Sequence, residues 1–293
     1  YYLLGVLPLN AAERMMGQMM PLLISTEDSK DPIFVPSSNF SLAVSAEHNY
    51  IKDVRPSGTG AGGVFPPVED VISQAIEDLG AVTGRIGLEF KYIALNNSDA
   101  IRRKASRVTF VDCSDLVEIL RMVKSEEEKG YCIKACEITD KVLEDAKDYL
   151  KVGRTEMDVA QDIVARAMEY GGDGASFFPQ ILSGRRACLV NISSSPHKVL
   201  RDGEIVLLDF GTAYKGYRSD TTRPFVLGKA SGEHKEVSEK IKSVMKALLD
   251  VVHAGVTAAD VQNRAVSKFS EIGYPPRLNS GHGMGLQTWE RPS

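Results

Sequence analysis

The sequence predicts two domains: an α/β amino-terminal domain over residues 1–122, and an α+β domain over residues 123–293 with an internal pseudo-two-fold duplication. Three observations predict this. Short apolar runs alternate with an amphipathic helix toward the amino terminus, the pattern of an α/β domain. Toward the carboxyl terminus a single set of helix-boundary signals recurs at a fixed offset. Between its two copies an apolar strand ends on a carboxylate and turns back into a second strand that carries another.

In the amino-terminal domain, residues 32–35 and 42–45 read as short strands. Residues 68–79 have helical periodicity and stop at Gly80, and residues 85–90 and 108–111 read as further strands. Gly58, Gly60 and Gly63 form a G-x-G-x-x-G string. A dinucleotide site needs a strand leading into that string and a helix opening from it. Here Arg55-Pro56 precedes it and Pro66-Pro67 follows, so residues 57–67 are expected to form a mobile surface loop.

Charge is dense over residues 116–129, where the chain enters a long helix, and the domain boundary is placed near Val123. Beyond it, Ala135, Ile138, Val142, Ala146 and Tyr149 make one apolar helical face. Gly153, Thr155, Asp158, Val159 and Gly171 then recur as Gly255, Thr257, Asp260, Val261 and Gly273, each 102 residues later. In each copy a glycine stops one helix, a threonine caps the next, and an acid in its first turn faces the helix dipole. Each copy is followed by a Ser-Gly pair, Ser183-Gly184 and Ser280-Gly281. The pattern reads as a duplicated unit, with a site expected where the halves meet.

Residues 205–208 are continuously apolar, so that strand is expected to be covered on both faces. Asp209 then places a carboxylate at the end of the strand, where burial costs several kcal/mol unless the charge is paired or bound to metal. After Tyr214-Lys215-Gly216 a second strand over residues 217–227 carries Asp220. A two-residue turn centred on Tyr214-Lys215 or on Lys215-Gly216 pairs odd positions with even ones. Asp209 and Asp220 then project from the same face. Two carboxylates so placed repel, and a divalent cation between them relieves the repulsion. A capping role for Asp209 and a solvated Asp220 is the plainer alternative. In Gly281-His282-Gly283-Met284-Gly285 the glycines let the backbone approach a centre closely, and His282 can supply a nitrogen ligand.

These motifs resemble the signature of the family of methionine and Xaa-Pro aminopeptidases, prolidases and creatinase. The residues that carry the resemblance are Asp209-Phe210-Gly211, Tyr217, Ser219-Asp220-Thr221-Thr222-Arg223, Gly228-Lys229 and residues 281–285. The resemblance covers residues 123 to the end and implies the pita-bread fold. The first 122 residues resemble the amino-terminal domain of the prolidase and creatinase branch. The family implies a site of two divalent ions (manganese, cobalt, zinc or iron), with Asp209, Asp220 and His282 as metal ligands. It implies two further glutamate ligands beyond Ser293, so a carboxyl-terminal segment is expected to follow. The absence of an initiating Met likewise suggests that residues precede Tyr1.

The implied activity is hydrolysis of the bond before proline in short peptides, by a cytoplasmic homodimer. Glu290 stands where the family has an acid beside the substrate pocket. Asn191 and Trp289 stand near or at positions where its peptidases carry histidines, and His197 is too close to Asp209 to replace the first. Asn191, Trp289 and Glu290 are therefore the candidate catalytic residues. The two replacements leave three readings open: an Xaa-Pro peptidase, a creatinase-like hydrolase or lyase of a small non-peptide metabolite, and a metal-free pseudoenzyme that serves as a binding module.

Composition narrows the field from outside the motifs. The formal net charge of −4 argues against a nucleic-acid partner, which needs clustered Lys and Arg. No apolar run is long enough to cross a bilayer, and residues 1–9, apolar but without a basic leader or a cleavage site, read as a poor signal peptide. Cys113, Cys132, Cys136 and Cys188 lack the paired spacing of a zinc knuckle and are expected to be reduced thiols.

Overall fold

A computed structural model describes residues 22–25, 30–40, 51–60, 62–189, 191–275 and 280–292. The chain divides into two compact units, Tyr1–Glu118 and Ile119–Ser293.

In the first unit Ile33–Phe34 pairs with Leu22–Leu23 and, in parallel, with Asp53–Val54. Gly84–Leu88 and Val108–Asp112 are parallel neighbours joined through the helix Leu95–Lys104, which makes a βαβ unit. The helix Val68–Asp78 buries Val71 and Ala75 against Ile33 and Val35, and Ile72 and Ile76 against Ile101. Gly80 follows its end at φ 73°, a left-handed conformation that a glycine adopts without penalty. The strand expected over residues 42–45 lies outside the described residues. The loop expected over residues 57–67 is instead a paired hairpin, Thr59–Gly60 against Gly63–Val64. It is closed by Gly58 N–H to the Pro66 carbonyl at 2.8 Å and Phe65 N–H to the Gly58 carbonyl at 2.9 Å. Positive φ at Gly58 and Gly63 permits that closure, and no helix opens from the string as a phosphate cradle would need.

Among its described residues the second unit carries two pairs of longer helices and two small sheets. Helix α1 (Glu126–Glu144) starts at a Ser125–Glu128 capping box, and α2 (Glu156–Glu169) at a Thr155–Asp158 box. Strands β1 (Gly174–Ala175) and β2 (Gln180–Ser183) follow, then β3 (Ile205–Phe210), β4 (Thr212–Tyr214), β5 (Tyr217–Arg218) and β6 (Thr221–Val226). They form sheets in the order β6-β3-β2 and β5-β4-β1. Helix α3 (Gly232–Leu249) starts at a Ser231–His234 box and α4 (Ala258–Glu271) at a Thr257–Asp260 box. The duplication is complete at α2 and α4, whose first residues, last residues and caps all differ by the same 102 positions. The caps are reciprocal: threonine accepts from the acid's backbone N–H while the carboxylate accepts from the threonine N–H, satisfying two otherwise orphaned donors.

Val206, Leu208 and Phe210 alternate along β3 into a core with Val142, Tyr149, Val159, Ile163 and Leu200. Burying a side chain of this size contributes about 1.5–3 kcal/mol. The expectation that β3 is covered on both faces is corrected here: Ile205 is exposed, and Leu207 and Asp209 are half-buried on the other face. The run is apolar throughout, but burial follows the two-residue period of a strand packed on helices from one side.

The pseudo-symmetry breaks at Glu156, the first residue of α2, whose counterpart 102 residues on is Ala258. The Glu156 carboxylate is 0% exposed and accepts from Ser183 N–H at 2.7 Å, Ser183 Oγ at 3.0 Å, Ser195 N–H at 3.0 Å and Arg186 Nε at 3.0 Å. It thereby ties both ends of the segment that leaves β2 to the start of a helix, where the dipole also favours its charge. Replacing Glu156 with alanine leaves Arg186 and two backbone donors without their acceptor. Urea unfolding of Glu156→Ala is expected to show a loss of about 3 kcal/mol or more; a loss below about 1 kcal/mol would contradict this anchoring role.

Candidate metal centre

Strands β3–β4 and β5–β6 are the two arms of one hairpin with a break in the middle. The tip pairs Tyr214 with Tyr217, so the turn is centred on Lys215-Gly216, both at positive φ. The same register continues past the break, pairing Phe210 with Thr221 and Asp209 with Thr222. Asp220, two residues before Thr222, therefore shares a face with Asp209, as the parity of the sequence predicts.

The break is built by Gly211 and Ser219. A Cβ on Gly211 would lie 1.8 Å from the Ser219 carbonyl oxygen and 2.9 Å from Ser176 Oγ, so only glycine fits. Buried hydroxyls take up the polar groups released where the ladder parts. Thr212 N–H donates to Ser219 Oγ at 2.8 Å, and Ser176 Oγ lies 2.7 Å from the carbonyl oxygens of both Thr212 and Ser219. Thr139 Oγ1 on α1 lies 2.6 Å from Ser219 Oγ and 3.0 Å from Thr212 Oγ1. The network pins the residue before Asp220 to the helix behind the sheet. Sequence reasoning does not find it, since single hydroxyls spread over residues 139–219 carry no local signal.

Asp209 accepts a hydrogen bond from Thr222 Oγ1 at 3.0 Å. Its carboxyl is pushed above the usual range by burial, against which the Thr222 bond acts. The Asp220 carboxyl is raised by burial and then by the charge of Asp209, while His282 acts in the opposite sense. His282 Nε2 lies 3.5 Å from Asp220 Oδ2. Its Nδ1 lies 3.0 Å from the Gly283 carbonyl, an acceptor that engages Nδ1, so Nε2 is the nitrogen that faces Asp220.

His282 is carried on a loop closed by a bridge between Gly283 and Glu290. The loop is fixed to the hairpin by Arg218, whose N–H donates to the Gly285 carbonyl at 2.8 Å and whose Nε donates to the Leu286 carbonyl at 2.9 Å. The Glu290 carboxylate is nearly buried against Arg121, Lys124 at 3.1 Å and the Gln287 N–H at 2.8 Å. Its charge is thus engaged in holding the loop. Trp289 stacks on His282, with ring centroids 4.5 Å apart and planes at 17°. Asn191 is exposed, at φ 58°.

The structure thus places Asp209 and Asp220 on one face, His282 beside Asp220, and Trp289 and Glu290 behind the histidine. Among the described residues no group of three or more His, Cys, Asp or Glu side chains is gathered closely enough to hold a metal ion by itself. The donors nonetheless fit a divalent cation chemically. Two half-buried carboxylates repel across one face, a hydroxyl bonds the first, and an imidazole nitrogen faces the second.

Residues 131–293 match the family described as metallopeptidase family M24. The chain belongs to that family. Residues 1–123 match the creatinase/prolidase N-terminal domain. Membership of a metallopeptidase family implies divalent metal. The Xaa-Pro dipeptidase of Pyrococcus horikoshii is 29% identical over 225 residues, which cover 76% of this chain and 62% of that protein. The chain thus spans less than two thirds of the length of the curated relatives it resembles. An X-Pro aminopeptidase structure from Thermotoga maritima aligns over 90% of this chain and 72% of that one, with 27% identity and a TM-score of 0.76. An Xaa-Pro dipeptidase structure from Bacillus anthracis aligns over 97% and 78%, with 25% identity and a TM-score of 0.81. The shared fold is the pita-bread fold that the resemblance implies.

Raised carboxyls have a definite consequence for the metal-free protein. A folded-state pKa above the unfolded value means that the folded state binds the proton more tightly. The stability this contributes is present below the ordinary value of 3.8 and is lost as pH rises through the raised folded value. Asp220→Asn removes the charge and with it this loss. In the absence of metal, urea unfolding from about pH 4 to 7 is expected to show the variant gaining on the wild type as pH rises. A difference that is flat with pH, or that moves against the variant, would show that the two carboxylates do not repel.

Proposed function

We propose that this chain is the metal-binding part of a hydrolase that uses two divalent ions to cleave the bond before proline in short peptides. The observation that carries the reading is the Asp209–Asp220 pair, two carboxylates held on one face with His282 beside the second. Relatives named as Xaa-Pro dipeptidases and aminopeptidases support the substrate class.

Asp209 and Asp220 would hold the metal through oxygen, and His282 would add a nitrogen from the loop. Metal bound there supplies Lewis-acid polarisation of the scissile carbonyl and a lowered pKa for water. The chain's own contribution is positional. Thr222 orients Asp209, the hydroxyl network fixes the backbone before Asp220, and Arg218 with Glu290 fixes the loop of His282. Manganese, cobalt, zinc and iron all suit carboxylate and imidazole donors. Four free cysteines suit a reducing compartment, in keeping with a cytoplasmic enzyme. No described helix is long and apolar enough to cross a membrane.

A second reading, a small non-peptide substrate, is favoured by Asn191 and Trp289. Neither side chain exchanges protons at neutral pH, so neither replaces an acid–base histidine.

Elemental analysis of the full-length protein after dialysis is expected to find about two divalent ions per chain, and Asp220→Asn in the same protein is expected to abolish hydrolysis of Xaa-Pro dipeptides. Protein that stays metal-free and takes up none on titration would overturn the proposal. The substrate class is read separately. Wild type that leaves Xaa-Pro dipeptides intact, while Asn191→His with Trp289→His gains that activity, would favour the small-molecule reading. Efficient wild-type cleavage with no gain in the double variant would remove it.

A further inference from the structure

Trp289 is the only tryptophan in the chain. It is 59% exposed, so burial of its large apolar surface does not explain its place. The backbone explains it better. The bridge between Gly283 and Glu290 is antiparallel, with Glu290 N–H donating to the Gly283 carbonyl at 2.9 Å, while Gly283 N–H donates further along, to the Pro292 carbonyl at 2.6 Å. Residues one before each bridged partner fall on the same face as diagonal neighbours, within reach of aromatic side chains. Those residues are His282 and Trp289, and their rings lie nearly parallel at 4.5 Å.

The loop that carries the indole is fastened at two points. Glu290, the next residue, is locked by Arg121, Lys124 and the Gln287 N–H, and Gly285 leaves the space that its carboxylate fills: a Cβ there would lie 2.7 Å from Glu290 Oε2. Arg218 ties the middle of the loop to the strand that leads into Asp220. With Nδ1 engaged at the Gly283 carbonyl, the imidazole still has its ring plane to fix, and the stacked indole fixes it. Nε2 is thereby aimed at Asp220.

We infer that Trp289 is a positioning residue that stacks on His282 and holds its Nε2 toward the cation shared with Asp220. The ring face turned to the imidazole is spent there and is not a platform for a cationic or ring-bearing substrate. The inference rests on the metal reading of the site, and its test separates the two.

Cobalt(II) is titrated into metal-free wild type and into Trp289→Phe and Trp289→Leu, with binding followed by calorimetry and, in the wild type, by tryptophan emission. Trp289 is the only tryptophan among these 293 residues, and cobalt uptake beside the stacked pair is expected to quench its emission in step with the calorimetric isotherm. Phenylalanine keeps an aromatic stack and should bind within about twofold of wild type, whereas leucine loses it and should bind about three- to tenfold more weakly. Cobalt binding with unchanged emission, or equal affinity in the leucine variant, would overturn the positioning role and leave the metal reading standing. No cobalt uptake by the wild type would overturn the metal reading and the inference with it. Should the leucine variant fail to fold, wild-type quenching decides alone.

Discussion

The close approach of Gly211 to the Ser219 carbonyl is the constraint on which the site depends. A hairpin with a continuous ladder would run as one ribbon, its strands paired from end to end. Here the backbones meet too closely for any Cβ, the ladder parts, and the arms enter two separate sheets in the same register. Leaving the ladder exposes backbone donors and acceptors in a buried place, which is costly unless they find partners. Ser176 and Ser219 supply them, Thr139 bonds the hydroxyls of Ser219 and Thr212 in turn, and all four residues are buried. Asp220 emerges from this break rather than from a strand, so its backbone is held by hydroxyls on separate elements.

The electrostatics follow from that placement. Asp209 sits on the open face of a strand whose other face is core, and Asp220 sits across the break on the same side. Burial raises both carboxyls, and the charge of Asp209 raises the second further. The arrangement is poor for a metal-free fold and good for a fold that binds a cation, the usual trade between stability and a working site. Glu156 and Glu290 show the contrast within one unit. Both are buried carboxylates, yet each is surrounded by donors, and each serves to fasten a loop.

Much of this is legible from residues alone. The duplication at 102 residues is visible because caps are local: a threonine, an acid three positions later and a glycine after the last turn state where a helix begins and ends. The shared face of Asp209 and Asp220 is legible because strand parity survives either turn. The cover of β3 is not, because an apolar run does not state which of its faces is occupied. The hairpin over residues 59–64 reads as a loop because its pairing rests on glycine backbone conformation rather than on side-chain pattern. Neither the hydroxyl network nor the Arg218 tether can be read, since each joins residues from separate elements. Trp289 reads as a replacement for a catalytic histidine, whereas the bridge at Gly283 and Glu290 turns it onto His282.

The central claim, that the fold holds two repelling carboxylates in place for a cation, is tested most directly by carboxyl carbon NMR titration of Asp209 and Asp220. In the metal-free protein both should titrate above the ordinary aspartate value of 3.8, and Asp220 should respond to Asp209→Asn by titrating lower. Added divalent metal should suppress both titrations. Both groups titrating at or below the ordinary value, without response to the substitution or to metal, would contradict the account.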